Sequence, residues 1–136
     1  MLQKLTKNRG GFTLVEIMIV VAIIALLAAI AVPNFLRARK RSQATVIMED
    51  LRALTQALDQ YAIETNKTGG APVNLGDLKN YIKTGSKLYT TGADMFGNAY
   101  GPFTVDSTIS VSGSEFNALS DVCDVTFWSP YSVAPY

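Results

Sequence analysis

The chain has 136 residues, enough for one modest domain with appendages, and contains no histidine and a single cysteine. Ser-His-Asp and Cys-His catalysis and histidine metal sites are therefore excluded, and no internal disulfide can form. The balance of 12 basic against 11 acidic residues hides a segregation by position, with basic groups early and ten acidic against five basic residues from Ser42 onward, which disfavours nucleic acid as a ligand of that later part.

The first basic group is Lys4, Lys7 and Arg9, followed by Gly10-Gly11-Phe12-Thr13-Leu14-Val15-Glu16. Residues 17 to 36 then form a run of 20 without a charge, the length a helix needs to cross about 30 Å of hydrocarbon. Counted from Phe12 the helix would reach about 37 Å, leaving room for tilt. A secretory signal is a poorer fit, because its apolar core spans only 7 to 15 residues and its small-residue cleavage site follows that core, whereas this glycine pair precedes it. Glu16 is the anomaly, since a carboxylate at mid-bilayer costs about 2.5 to 3.5 kcal/mol and is retained for a partner charge or held at the boundary. Gly10-Gly11 lacks the Lys-Ser or Lys-Thr of a phosphate-binding loop. With three basic residues before the span and Arg37, Arg39, Lys40 and Arg41 after it, charge alone does not set its orientation. Pro33 sits inside the helical segment, where loss of an N–H and a clash with the preceding turn predict a kink near Ala29 to Pro33; equally, it marks the membrane exit.

Past the span, Ala44, Ile47, Leu51, Leu54, Leu58 and Tyr61 recur at steps of three and four, one apolar stripe flanked by polar residues. The stripe is too short to require a coiled coil and is expected to pack on a sheet formed by its own chain. Residues 66 to 72, ending in Thr68-Gly69-Gly70-Ala71-Pro72, should stop the helix, and Asn74 is a candidate N-cap for a short helix through Leu75, Leu78, Tyr81 and Ile82. Beyond Gly85 the pattern reads as short strands: Phe103 to Val105 and Ile109 to Val111, joined as a hairpin through Asp106-Ser107-Thr108, and then Val122 to Trp128. The antiparallel sheet would lie against the helical stripe. Cys123 reads as a buried small hydrophobe, with an incidental surface thiol as the alternative. The aromatic tail, Phe127, Trp128, Tyr131 and Tyr136, reads as core packing and edge cover, with a contact surface or base stacking as the alternative.

Gly11-Phe12-Thr13-Leu14-Val15-Glu16, the apolar run and Pro33 resemble the N-terminal segment of type IV pilins and type II secretion pseudopilins, without gaps over residues 7 to 36. The resemblance implies an α+β, pilin-like fold: a long N-terminal helix, half transmembrane and half amphipathic, packed on a small antiparallel β-sheet. It divides the chain into a leader, 1–11, removed by prepilin peptidase; a transmembrane helix, 12–36; and a periplasmic or extracellular head, 37–136. Cleavage would follow Gly11, and Phe12 would become the N-methylated N-terminus. The resemblance further implies a single-pass inner-membrane protein with a cytoplasmic N-terminus and a periplasmic head. Its partners would be copies of itself in a helical filament, the assembly platform and minor pseudopilins, with no cofactor and no nucleic acid expected.

Cleavage would leave an ammonium on Phe12 with Glu16 one helical turn later. In the family Glu16 of one subunit would meet the Phe12 ammonium of its neighbour and set the axial step, and Pro33 would let the helix bend or melt as filaments pack. Asp94-Met95-Phe96-Gly97-Asn98 followed by Tyr100 resembles the Asp-Pro-Trp-Gly-Asn-Pro-Tyr segment of the major pseudopilin of type II secretion. Met95 and Ala99 stand in place of its prolines and Phe96 in place of its tryptophan. Physically, Asp94 capping a tight turn at Gly97-Asn98 explains these residues without a ligand. Related pseudopilins bind calcium near their C-terminus, which singles out Asp121 and Asp124. Two carboxylates are few for an ion needing six to eight oxygens, however, and alternation with Val122 and Val125 is also what a strand with one wet face shows. The expected function is a structural subunit of a type II secretion pseudopilus, in preference to a type IV pilus-like filament, and not an enzyme; the alternative is a minor pilin acting as tip adhesin or DNA-uptake binding protein.

Overall fold

The computed structural model describes residues 10–134. The basic leader residues Lys4, Lys7 and Arg9, and Tyr136 of the aromatic tail, lie outside the described residues. Contacts divide the chain into two units, Met1–Leu36 and Arg37–Tyr136. Helix α1, Leu14–Thr65, contributes to both.

In the first unit the helix is apolar on every side, with a mean hydropathy of 3.0 in its most apolar 18-residue window. Its large side chains are all half or more exposed, from Ile17 and Val20 through Leu27 to Leu36. A helix hydrophobic all round and exposed all round has no aqueous solvent in which it is stable, so length and composition make it one helix fit to cross a membrane. Pro33 lies inside α1, which is assigned as unbroken from Leu14 to Thr65. The proline has no N–H to offer the carbonyl of Ala29, so one rung of the helix ladder is missing there.

In the second unit the pattern changes to one buried stripe. Ala44, Ile47, Leu51, Leu54, Leu58 and Tyr61 are all buried, joined by Met48 and Ala57. Each large aliphatic side chain so buried contributes about 1.5–3 kcal/mol relative to exposure, so the stripe is what fastens the helix to the rest of its unit. Asn66 ends α1 in the left-handed region, φ 54°, and the Lys67 N–H reaches back to the Ala62 carbonyl at 3.1 Å, as in a Schellman motif closed by asparagine in place of glycine.

The chain then lays short elements over the stripe. Strand β1, Pro72–Val73, is followed by α2, Leu75–Leu78, which tightens into a 3-10 turn over Lys79–Tyr81. The N–H of Asn74 meets the Asp77 carboxylate at 3.4 Å at the start of α2. Helix α3, Lys87–Thr91, begins where Ser86 Oγ accepts the Tyr89 N–H and ends at Gly92, φ 63°. Strands β2, Phe103–Thr104, and β3, Ser110–Val111, flank a turn; helix α4, Gly113–Leu119, follows, and β4 is Ser132–Val133. Val73, Leu78, Ile82, Leu88, Phe103, Val105, Ile109, Val111, Leu119 and Trp128 close the core against α1. The fold is α+β, a long N-terminal helix packed on small β elements, with β1 and β2 antiparallel.

The strand pairing corrects the hairpin. Phe103 pairs with Val73 rather than with the following strand, and β3 pairs with β4 in parallel. The link between β2 and β3 closes on itself: the Ser107 N–H bonds the Thr104 carbonyl at 3.2 Å, and Asp106 is left-handed at φ 60°. That turn sends the chain toward the C-terminal segment instead of back along β2. Val122 to Trp128 is also not a strand. The N–H groups of Val122 and Cys123 both bond the Leu119 carbonyl as α4 ends. Asp124 Oδ1 then accepts the Thr126 hydroxyl at 2.7 Å and the Phe127 N–H at 3.1 Å. A short polar side chain bonding backbone two or three residues on is a local alternative to a ladder, and here it prevails.

Candidate assembly site

Gly10, Gly11 and Phe12 precede the helix and are exposed, and a methyl group placed on either glycine would meet nothing within 4 Å. The proposed scissile bond, Gly11 to Phe12, thus lies in open, non-helical backbone. Thr13, just before the first helical residue Leu14, acts as the N-cap of α1. Thr13 Oγ1 accepts the Glu16 N–H at 3.2 Å, while the Glu16 carboxylate accepts the Thr13 N–H and hydroxyl, both at 2.7 Å. This reciprocal arrangement is a capping box, written in the sequence as Thr13-Leu14-Val15-Glu16. It supplies partners for helix-start donors and places a negative charge in the first turn, where the helix dipole favours it.

The placement refines two expectations. Phe12 is not a residue of the helix but stands before its cap, so the Phe12 nitrogen is not simply one helical turn from Glu16. The two residues instead line a common open groove of about 350 Å³ with Ile17, Ile19 and Val20. Glu16 also does not wait unpartnered for a second subunit, because Thr13 already holds its carboxylate. Thr13 is the partner of Glu16 that the sequence reading passed over, although the Thr-x-x-Glu spacing ahead of an apolar run marks it. Pro33 is far along the same helix and exposed.

In the second unit the Asp94 to Tyr100 segment is a closed turn. Asp94 is fully buried, and its carboxylate accepts the Phe96 N–H at 2.8 Å, the Asn98 N–H at 2.7 Å and the Asn98 side-chain amide at 2.8 Å. Gly97 supplies φ 92°, and the Asp94 N–H bonds the Asn98 carbonyl at 2.9 Å. The capping role of Asp94 is what the residues implied. Burial raises the Asp94 pKa, but hydrogen bonds from Glu115, Asn98 and Phe96 outweigh it and hold it below the ordinary value. Tyr100 then donates its hydroxyl to Asp50 of α1 at 3.2 Å. The neighbour that sequence reasoning missed is Glu115, buried in α4, with its Oε2 on the Ser112 N–H at 2.8 Å.

Asp121 and Asp124 line one open pocket with Arg41 and Thr126, but each carboxylate already has partners within the chain. Lys40 donates to both oxygens of Asp121 at 2.9 and 2.8 Å, and the hydrogen bonds hold the Asp121 carboxyl below its usual value. Asp124 is committed to Thr126 and Phe127. Among the described residues no group of three or more Asp, Glu or Cys side chains is arranged to hold a metal ion. Cys123 is 2% exposed, and burial pushes its thiol pKa up.

A capped, fully exposed apolar helix with one carboxylate in its first turn, joined in sequence to a small α+β unit, defines the class of prepilin-like subunits. Comparison with known proteins agrees. Residues 6–32 match the prokaryotic N-terminal methylation motif. The type II secretion system core protein G of Pseudomonas aeruginosa is 31% identical over 90% of this chain and 96% of its own length. The type IV wide pilus major component of Thermus thermophilus is 47% identical over 44% of this chain, and the type IV major pilin of Myxococcus xanthus 47% identical over 48%. These matches span only 46% and 33% of the two pilins' own lengths. No solved structure matches the chain significantly. The chain belongs to the family of type IV pilins and type II secretion pseudopilins.

Proposed function

We propose that this chain is a structural subunit of a pilus-like filament, cut by prepilin peptidase between Gly11 and Phe12, N-methylated on Phe12 and polymerised through α1. The observation that carries the reading is the apolar half of α1, exposed along its whole length yet closed at its start by the Thr13–Glu16 cap. Lipid can cover such a helix in the free subunit, and neighbouring helices can cover it in a filament. The cap gives Glu16 partners while the subunit is alone in the bilayer. In a packed bundle the same carboxylate can turn to the Phe12 ammonium of a neighbour, and Pro33 offers the helix a place to adapt. The subunit would sit in the inner membrane with its N-terminus cytoplasmic and its head periplasmic, and would pair with its own copies and an assembly platform.

The match over nearly the full length of a type II secretion core protein G favours a secretion pseudopilus over a true pilus. A tip adhesin or DNA-uptake minor pilin is the alternative, and it would occur in few copies at filament ends. The test is Glu16→Ala in cells carrying the assembly machinery. It should insert in the membrane at the normal level, be trimmed to a chain starting at methylated Phe12 by mass spectrometry, and form no filaments. Filaments at normal yield would overturn the role of Glu16, and a mature chain retaining residues 1–11 would overturn the processing.

A further inference from the structure

Glu115 is 2% exposed and Asp94 fully buried, and each carboxyl shifts the titration of the other as a neighbouring acid. The Asp94 carboxylate accepts three N–H donors of its own turn, two on Oδ1 and one on Oδ2. Glu115 is different. Its Oε2 accepts the Ser112 N–H, but Oε1 is buried without any donor to meet. As a carboxylate, Glu115 would therefore carry an unpaired charge against a second buried carboxylate, which is among the costliest arrangements a core can hold. As an acid, its Oε1–H has an acceptor at hand in Asp94. One proton resolves both the orphan oxygen and the repulsion.

The pair also joins two pieces of backbone. Glu115 stands at the third position of α4 and closes a capping arrangement with Ser112, whose Oγ accepts the Ser114 N–H at 3.3 Å. Asp94 organises the turn from Ala93 to Ala99. The only other direct bond between the two pieces, among the described residues, is Ser114 Oγ to Asn98 Oδ1 at 3.0 Å, and it is exposed. The groups acting on the pair are Asp50 from α1 and Tyr100 from the turn, with Lys87 from α3 acting on Asp50. Asp50 and Asp94 both disfavour a charge on Glu115.

We propose that Glu115 and Asp94 share one proton as a latch that fastens the Ala93–Ala99 turn to helix α4 and releases when that proton is lost. Burial first, then the contact with Asp94, pushes the Glu115 pKa up to about 8, while Asp94 stays ionised. The latch is therefore closed at neutral pH and below. Its opening follows from linkage: the folded pKa lies above the ordinary glutamate value, so the open form gains on the closed one by roughly tenfold per pH unit between about 5 and 8, and no further above that. The proposal does not depend on what the filament does.

The test is a carboxyl titration by carbon NMR on the full chain in detergent micelles, together with amide exchange from pH 6 to 9. Glu115→Gln serves as comparison, since its amide can donate to Asp94 at any pH. The Glu115 carboxyl should titrate near pH 8. Exchange at Phe96, Asn98 and Ser112 should rise by tenfold or more beyond the base-catalysed rise at an exposed amide such as Gly85, and this excess should vanish in Glu115→Gln. A midpoint in the ordinary range below about 5 overturns the shared proton. A raised midpoint without excess exchange, or the same excess in Glu115→Gln, overturns the latch. Should the variant not fold, the titration and exchange of the unsubstituted chain decide alone.

Discussion

Leu54 has no exposed surface and lies in the middle of the α1 stripe, whereas Ile63, nine residues on in the same helix, is 80% exposed. Truncating both to alanine separates packing from helix propensity, because both substitutions raise propensity slightly and only one opens a cavity. Leu54→Ala removes about three buried carbons, and large-to-small changes at such sites cost about 2–5 kcal/mol. Ile63→Ala should stay within about 0.5 kcal/mol of zero. The assay is urea unfolding of the full chain in micelles followed by Trp128, the chain's only tryptophan, which has no exposed surface and packs edge-on against Phe127 at 5.2 Å. With a urea slope of about 1–1.5 kcal/mol/M for a head of this size, Leu54→Ala should lower the midpoint by about 1.3 M or more. Equal midpoints for Leu54→Ala and Ile63→Ala would refute the packing of the stripe.

The same fluorescence assay reads three further outcomes. Gly92 has φ 63° and a Cβ there would collide with Leu75 Cδ2, while Gly85 has φ 83° and open space around it. Gly85→Ala should therefore cost the backbone term of about 1–2 kcal/mol, and Gly92→Ala visibly more; equal losses would exclude the Leu75 contact. Because the Glu115 pKa is raised to about 8, its share of stability is complete below the ordinary glutamate value and lost as pH rises through 8. The midpoint should accordingly fall from pH 5 to pH 8 and level off, whereas a midpoint that climbs over that window contradicts the burial of a neutral acid. Lys40→Ala breaks a well-formed but exposed ion pair with Asp121 and should leave the midpoint unchanged, since such pairs contribute little in water.

The helical half of the fold was legible because its signal is periodic. Six stripe positions, spaced three and four apart, all became buried, and the apolar run before them had no alternation to confuse it. The turn at Asp94 was legible because glycine, asparagine and aspartate each have a specific use in a tight turn. Strand partners were not, because Phe103 and Val111 carry the same alternation whether they pair with each other, with Val73 or with Val133. Helices α3 and α4 escaped notice in a β-prone region although both were marked at their ends. Ser86 and Gly92 bracket α3, and Ser112-Gly113-Ser114-Glu115 has the Ser-x-x-Glu form that Thr13-Leu14-Val15-Glu16 repeats at the start of α1. Both missed carboxylate arrangements, Glu16 with Thr13 and Glu115 with Ser112, are thus the same local device. One sits in a membrane-length helix and the other in the core.

Cys123 gives the molecule a means of reporting on its own integrity. It is the chain's single thiol, and it is buried and held protonated by that burial. A thiol-reactive dye should pass over intact subunits and mark only those whose core has opened. Within a filament that means one label per damaged subunit and none elsewhere, so wear along a fibre could be mapped on the unmodified protein.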